Sequence, residues 1–247
     1  MKILVCMSNV PDTTTKVRFT DGNTRLDAAG IQWIINPWDE LALTRALELK
    51  DAGAISAVEV INVGPALTEA TLRKALAIGA DKAWRIDAET ADGYQVAQLL
   101  AQWLKDQAFD ILLAGVESSD YNSSGVGIML AALAGIPSVS NVSGLSIEGG
   151  QVILKREIEG GQQQLKAHGP FLAVVQKGIA LEPRIPSMRG IMTARTKPLE
   201  VVPAHPVAAR TAYQAFSLPQ PKGSCRMVDP EQPDELFRLL HEEARVI

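Results

Sequence analysis

Asp110–Gly135 reads DILLAGVESSDYNSSGVGIMLAALAG, a strand, a loop and a helix in that order. DILL is a short continuous apolar run that suits a strand buried on both faces, and it ends at Gly115. Gly125–Leu133 reads as a helix that closes near Gly135. Between them lie small hydroxyl and amide side chains. A buried strand, a polar loop and a helix N-terminus form the repeating half of a parallel α/β sheet.

The same unit recurs upstream. Lys2–Met7 (KILVCM), Val58–Val63 (VEVINV, closed by Gly64-Pro65) and Ala83–Ile86 read as buried strands. A helix follows Asn36-Pro37 from Trp38 to about Asp51, with Leu43, Ala46 and Leu47 on one side. Others run over Thr68–Ile78, ended by Gly79, and Tyr94–Lys105, with Val96, Leu99, Leu100, Trp103 and Leu104 on one side. Strands alternating with helices predict right-handed crossovers on a parallel sheet. After Pro137 the pattern changes. Val142–Ile147, Gln151–Ile158, Gln162–Lys166 and Phe171–Gln176 are strand-like, and EGG at 148–150 and 159–161 joins the first three as hairpins. An antiparallel meander added to the α/β core is expected. From Leu181 onward frequent prolines predict loop and tail. One terminal helix is expected from Pro230 to about Arg245, with Leu236, Phe237, Leu239 and Leu240 on its apolar side. The surface it covers, parent domain or partner chain, stays open.

Of 247 residues, 47% are hydrophobic and 21% charged, which excludes disordered, collagenous and coiled-coil chains. The length suits one large domain with an appendage. A net charge of −4 gives no basic field for nucleic acid. No apolar run reaches the ~18 residues of a membrane span, and the N-terminus lacks a signal segment, so a soluble cytoplasmic protein with no membrane insertion is expected. Cys6 and Cys225 lie far apart, and His168, His205 and His241 are scattered, so no metal is expected. No G-x-S-x-G, P-loop or H-E-x-x-H occurs. An enzyme with its own nucleophile or catalytic residues is disfavoured.

In an open parallel sheet the ligand site lies outside the carboxyl ends of the strands. Three segments end there: Met7-Ser8-Asn9, Asn62-Val63-Gly64 and Gly115–Gly127. In the last, backbone N–H groups at a helix start, with Ser123 and Ser124 beside them and Gly125 to admit close approach, form an anion pocket suited to phosphate. The alternative is that Ser123 or Ser124 caps the helix and the glycines serve turns. Asn36 either caps the helix begun by Pro37 or donates to a ribose or base. No G-x-G-x-x-G follows the first strand, which disfavours an ordinary dinucleotide domain.

Six segments then carry a resemblance: KILVCMSNVPD at 2–12, INPWDELALTRALELK at 35–50, VGPALTEATLRKALAIGADKAWRI at 63–86, DILLAGVESSDYNSSGVG at 110–127, LKREIEGG at 154–161 and EPRIPSMRGIMTARTKPLEVV at 182–202. In this order they resemble the β subunit of the electron transfer flavoproteins, from Met1 to about Val202. The resemblance implies a flavodoxin-like (adenine-nucleotide-hydrolase-like) α/β domain over residues 1–202, paired with a related domain of an α subunit. It implies a C-terminal arm over 203–247 whose terminal helix contacts that subunit. The family's β subunit holds AMP in a structural role, or a second FAD in electron-bifurcating members, while the working FAD is held mainly by the α subunit. The heterodimer takes electrons from acyl-CoA-type or other flavin dehydrogenases and passes them to a quinone reductase or another acceptor.

Carried over by position, Cys6, Asn36, Val63 and Asp120–Val126 resemble the nucleotide-contacting positions, which here include Asp120, Asn122, Ser123, Ser124, Gly125 and Val126. Ser8, Asn62 and Gly64 join them from the strand ends. Tyr121, Ser123 and Val126 depart from the more acidic, Gln-containing loop of many members. Glu157 matches an acidic residue facing the flavin domain, or is an exposed hairpin glutamate. Met188 falls where the family has Leu on its partner-recognition loop, with Arg184, Arg189 and Arg195 around it; the alternative is that it packs on its own domain. The competing class, an ATP-binding universal-stress-type protein, needs a glycine-bearing motif after the first strand, where Asn9-Val10-Pro11-Asp12 has none.

Overall fold

Alternate side chains of the first strand serve two different cores, and that alternation sets the layers. In the computed structural model, which describes residues 1–247, β1 (Lys2–Cys6) turns Ile3 and Val5 to one core and Leu4 and Cys6 to the other, all buried. Such a strand needs cover on both sides. In chain order there follow β2 (Asn9–Pro11), β3 (Phe19–Thr20), β4 (Arg25–Leu26), β5 (Trp33–Ile35), α1 (Pro37–Asp51), β6 (Ala57–Val63), α2 (Glu69–Ile78) and β7 (Lys82–Asp87). Then come α3 (Gly93–Leu104), β8 (Ile111–Gly115), α4 (Val126–Ala134), β9 (Ser138–Glu148), β10 (Gln151–Ile158), β11 (Gly161–Ala167) and β12 (Phe171–Val175). The last are α5 (Met188–Ala194), β13 (Leu199–Pro203) and α6 (Pro233–Arg238).

One sheet of nine strands, ordered β11-β10-β9-β12-β8-β1-β6-β7-β13, carries the fold. Its pairs are parallel except β9–β10 and β10–β11. Leu43 and Leu47 of α1 and Leu72 and Leu76 of α2 cover the Ile3–Val5 face. Ala97 and Leu100 of α3 and Leu130 and Ala131 of α4 cover the Leu4–Cys6 face. The chain winds outward through β6 and β7, then returns through α3 to β8 on the far side of β1. The topological switch point therefore lies between the carboxyl ends of β1 and β8. No helix is long and apolar enough to cross a membrane.

The alternating strands and helices of the first half form as the sequence predicts. Four later elements differ. Phe171–Val175 stands outside the meander as β12, parallel to both β8 and β9, because five consecutive buried apolar residues fit the interior of a sheet. The stretch after Leu181 holds a helix and a strand. Ser187 caps α5 by accepting from the Gly190 N–H at 3.1 Å. β13 pairs with β7 at the sheet edge, where Pro198 before it and Pro203 at its end leave the ladder intact. The terminal helix starts at Pro233 and continues as a wider π-helical turn over Leu239–Glu243, shorter than expected at both ends. Residues 9–35 form an excursion of two small antiparallel pairs, β2–β5 and β3–β4.

Candidate functional site

The N-terminus of α1 reaches across the switch point and ties its two lips together. Asp39, in the first turn, accepts the Ser8 N–H at 2.8 Å through one carboxyl oxygen and the Gly115 N–H at 2.8 Å through the other. Asn36, just before Pro37, donates from Nδ2 to the Glu117 carbonyl at 2.8 Å and accepts the Ser119 N–H at 3.2 Å. Both side chains are buried, Asn36 at 1% and Asp39 at 3% exposure. The Asn36 side chain does not cap the N–H groups of the helix it precedes. The two residues thus fix where β1 ends and where the loop after β8 begins. Sequence reasoning singled out Asn36 and missed Asp39; the signal was a carboxylate three residues after Asn36, on a turn aimed at two strand ends.

Burial pushes the Asp39 carboxyl up to about 6, against the opposing pull of the Ser8 and Gly115 N–H groups and the Asn36 side chain. A carboxyl raised in the folded state adds stability that is fully present below pH 3.8, its unfolded value, and is lost as pH rises through about 6. At about 1.4 kcal/mol per unit, the contribution amounts to about 3 kcal/mol. The stability of wild type minus that of Asp39→Asn is therefore expected to fall by roughly this amount between pH 4 and pH 7, measured by urea unfolding at each pH. A flat difference curve would refute the assignment. Beside it, burial and then the Asp39 charge push the Cys6 thiol up to about 12, so this sulfur stays a neutral packing group.

The second strand end is built around a buried amide. Asn62, 6% exposed, donates from Nδ2 to the Met7 carbonyl at 2.8 Å, while its Oδ1 has no partner. Val63 ends β6, and Gly64 follows with its N–H on the Ile86 carbonyl at 3.0 Å and its carbonyl on Arg85 Nη1 at 2.9 Å. A Cβ on Gly64 would lie 2.6 Å from Thr68 Cγ2 and 2.8 Å from Asn62 Oδ1. Only glycine fits.

The third segment is the loop after β8. Asp120 accepts from the adjacent Tyr121 N–H at 2.8 Å, and the Asn122 N–H reaches the Ser118 carbonyl at 2.8 Å. Asn122 and Ser124 hold φ of 49° and 51°, in the left-handed region. The Ser124 hydroxyl donates to Glu117 Oε2 at 3.3 Å, and Ser123 is exposed. The residue at the start of α4 is Gly125, and no side chain caps it. The alternative of a serine cap is thereby removed, and the first N–H groups of Val126, Gly127 and Ile128 remain without a side-chain acceptor.

Cys6, Ser8, Asn36, Asn62, Val63, Gly64 and the 120–126 loop thus share the carboxyl edge of the sheet. The other candidates lie elsewhere. Glu157, on β10, accepts from the Ser143 hydroxyl at 2.6 Å and Gln162 Nε2 at 2.8 Å. The Arg184 N–H bonds Thr44 Oγ1 at 2.9 Å and its guanidinium Asp51 at 2.7 Å, both on α1. Met188 and Arg189 open α5 and are exposed.

A doubly wound parallel sheet with glycines and buried amides at its switch point defines a flavodoxin-like α/β protein. The chain matches the family model described as the electron transfer flavoprotein domain over residues 24–207. It is 36% identical to the electron transfer flavoprotein subunit beta of Bacillus subtilis (strain 168) over 100% of both chains. It is 35% identical to that of Syntrophomonas wolfei subsp. wolfei over 94% of this chain and 91% of the relative. Against that of Sus scrofa the identity is 29%, over 100% of this chain and 99% of the relative. The chain belongs to the electron transfer flavoprotein family, on the beta-subunit side, and the family name supports an electron-transfer role. That membership sets aside the universal-stress-type alternative.

Proposed function

We propose that this chain is the nucleotide-holding subunit of a heterodimeric electron carrier. It has no catalytic residues of its own and works in the cytoplasm. An α subunit holds most of the working FAD, and the pair accepts electrons from acyl-CoA-type or other flavin dehydrogenases and delivers them to a quinone reductase or another acceptor. In this reading residues 1–202 form the nucleotide-binding body and residues 203–247 the arm toward the partner. Glu157, Arg184, Met188 and Arg189 face partners.

The nucleotide is AMP, or a second FAD in a bifurcating member. The observation that carries this reading is the uncapped first turn of α4, which follows the loop after β8 at the carboxyl edge of the sheet, a loop that Asn36 holds at Glu117 and Ser119. Free N–H groups at a helix N-terminus suit a phosphate. The residues fit the group: Gly125 leaves room for an approaching anion, and the Asn62 carbonyl is a buried acceptor without a partner. When bound, the α-subunit flavin supplies the redox chemistry. This chain's residues bind, orient and exclude water.

The test is to co-express the chain with its α subunit, denature the purified complex and quantify released FAD and AMP. One FAD with one AMP fits a simple carrier, and two FAD fit a bifurcating one. One FAD without AMP would overturn the nucleotide reading. Gly125→Val sharpens it. A Cβ at Gly125 would meet only Met129 Cε at 3.4 Å and the Ser123 carbonyl at 3.6 Å, so the fold tolerates a side chain there. Nucleotide content is expected to fall well below stoichiometric while the melting temperature holds.

A further inference from the structure

Four aromatic rings from three distant parts of the chain stand in one stack. Tyr121, in the loop after β8, lies 5.0 Å from Tyr213 of the tail. Tyr213 lies 5.3 Å from Phe216, and Phe216 lies 5.3 Å from Phe19 of β3. The interplanar angles are 25°, 27° and 14°, all in the stacked range. The stack joins the candidate nucleotide loop, the tail and the excursion after β1.

The tail is fastened by its backbone on both sides of these rings. Asp92 caps α3 with one carboxyl oxygen, accepting the Gln95 N–H at 2.8 Å. Its other oxygen accepts the Arg210 and Thr211 N–H groups at 2.6 and 2.8 Å. Gln95 Nε2 donates to the Val207 carbonyl at 2.7 Å. The Arg210 guanidinium sits 5.2 Å over the Tyr94 ring. At the far end the Phe216 N–H donates to the Asn23 carbonyl at 2.7 Å. Beyond Phe216 the hydrogen bonds stay within the tail, such as Gln232 to Asp229 and Arg226 to Glu243. The docked segment therefore ends where the stack ends.

The loop it meets needs outside support. Asn122 and Ser124 both occupy the left-handed region, which L-residues adopt at a cost. From Asp120 to Ser124 its hydrogen bonds reach only residues 117–120 of the same loop. A loop that is strained and internally bonded has neighbouring conformations within easy reach. Tyr121 is its largest side chain and its handle.

We propose that Val207–Phe216 is a brace for the nucleotide loop, with Tyr213 and Phe216 as positioning residues that hold Tyr121, and through it residues 118–125, in the phosphate-receiving conformation. For its ligand the proposal rests on the nucleotide reading above; its geometry stands without it. The part of the tail that serves the partner then begins after Phe216.

The experiment measures amide hydrogen exchange and the dissociation rate of AMP on the full-length chain, as wild type, Tyr213→Ala, Phe216→Ala and Tyr213→Phe. Both alanine variants are expected to speed exchange at residues 118–125 about tenfold and to release AMP comparably faster. Tenfold is about 1.4 kcal/mol, the upper part of what an aromatic stack contributes. Tyr213→Phe keeps the ring and is expected to restore wild-type behaviour. Phe237→Ala, in the free part of the tail, is expected to change neither quantity. Exchange at 118–125 that matches wild type in both alanine variants overturns the brace, whatever AMP does. If the wild type takes up no AMP, the nucleotide reading fails by itself, and the exchange measurement still decides the brace.

Discussion

Gly115→Ala is expected to lower stability by about 2–6 kcal/mol and, since it borders the proposed nucleotide site, to lower nucleotide content with it. Gly115 ends β8, where the chain leaves the sheet at the switch point. A Cβ there would stand 2.5 Å from Asp39 Oδ1 and 2.6 Å from Trp38 Cβ. Neither neighbour can yield. Trp38 Cβ is fixed to the backbone of α1, and Asp39 is held by the Ser8 N–H and by the Gly115 N–H itself. Overpacking of this kind costs about 1–3 kcal/mol. The displaced, buried carboxyl then loses one or both N–H partners, at about 1–3 kcal/mol more. At about 2–4 °C per kcal/mol for a chain of this size, the melting temperature is expected to drop by about 4–24 °C. Gly127→Ala is the internal comparison. Its Cβ would meet Val174 Cγ2 at 3.1 Å and Ala114 Cβ at 3.3 Å, a milder squeeze that a Val174 rotation and a shift of a few tenths of an ångström against Ala114 relieve, for about 1 kcal/mol. Thermal melts of the two variants test the ordering. Equal melting temperatures would show that the clamp between β1 and β8 is not rigid.

The contrast between these two glycines shows what the sequence could and could not convey. Continuous apolar runs such as KILVC and ILLA declare a buried strand, because no half-exposed strand carries them. The helices α1 to α3 declare themselves by period. Handedness puts the helices on the two faces, but the place of β8 beside β1 does not follow from it, because the connection from β7 passes over β6 and β1. What the sequence hides is whatever depends on a distant partner. Nothing local to Asp39 says that its oxygens meet N–H groups of residues 8 and 115. Tyr213 and Phe216 sit in a proline-interrupted tail with no period, and only the loop holding Tyr121 makes sense of them. β13 was masked by Pro198 before it and Pro203 at its end, which an edge strand accepts and an inner one does not. α5 was masked by its seven-residue length and by Gly190 within it. That glycine has a tertiary reason. A Cβ there would run into the backbone carbonyl of Ala77, so it lets α5 lie directly on α2.

This seating of α5 sets up the second large effect, at Met188. The helix is held firmly from beneath. Arg73 Nη1 of α2 donates to the Ala194 carbonyl at 2.8 Å and the Lys197 carbonyl at 2.7 Å, closing its C-terminal end. Met188 stands on the opposite side, 78% exposed, so it does not pack on its own domain. Leu181, Ile185 and Met192 are exposed with it, and Arg184 and Arg189 lie among them. A rigid platform that presents apolar side chains within a charged rim suits a transient protein partner: the anchor fills a pocket and the charges steer the encounter. Fully burying a Met contributes roughly 1.5–3 kcal/mol. Losing ~2 kcal/mol weakens docking about thirtyfold. Met188→Ala in the assembled carrier is therefore expected to raise the apparent KM for electron transfer from a flavin dehydrogenase by about that factor. Its kcat at saturation, flavin content, nucleotide content and melting temperature are expected to stay near wild type, because an exposed side chain supports none of them. Arg189→Ala should act differently, lowering the association rate at low salt more than at high salt, since a rim charge works through the screened field. An unchanged KM in Met188→Ala would move the docking site off α5. A melting temperature several degrees lower would show instead that the exposed methionine is covered by the α subunit.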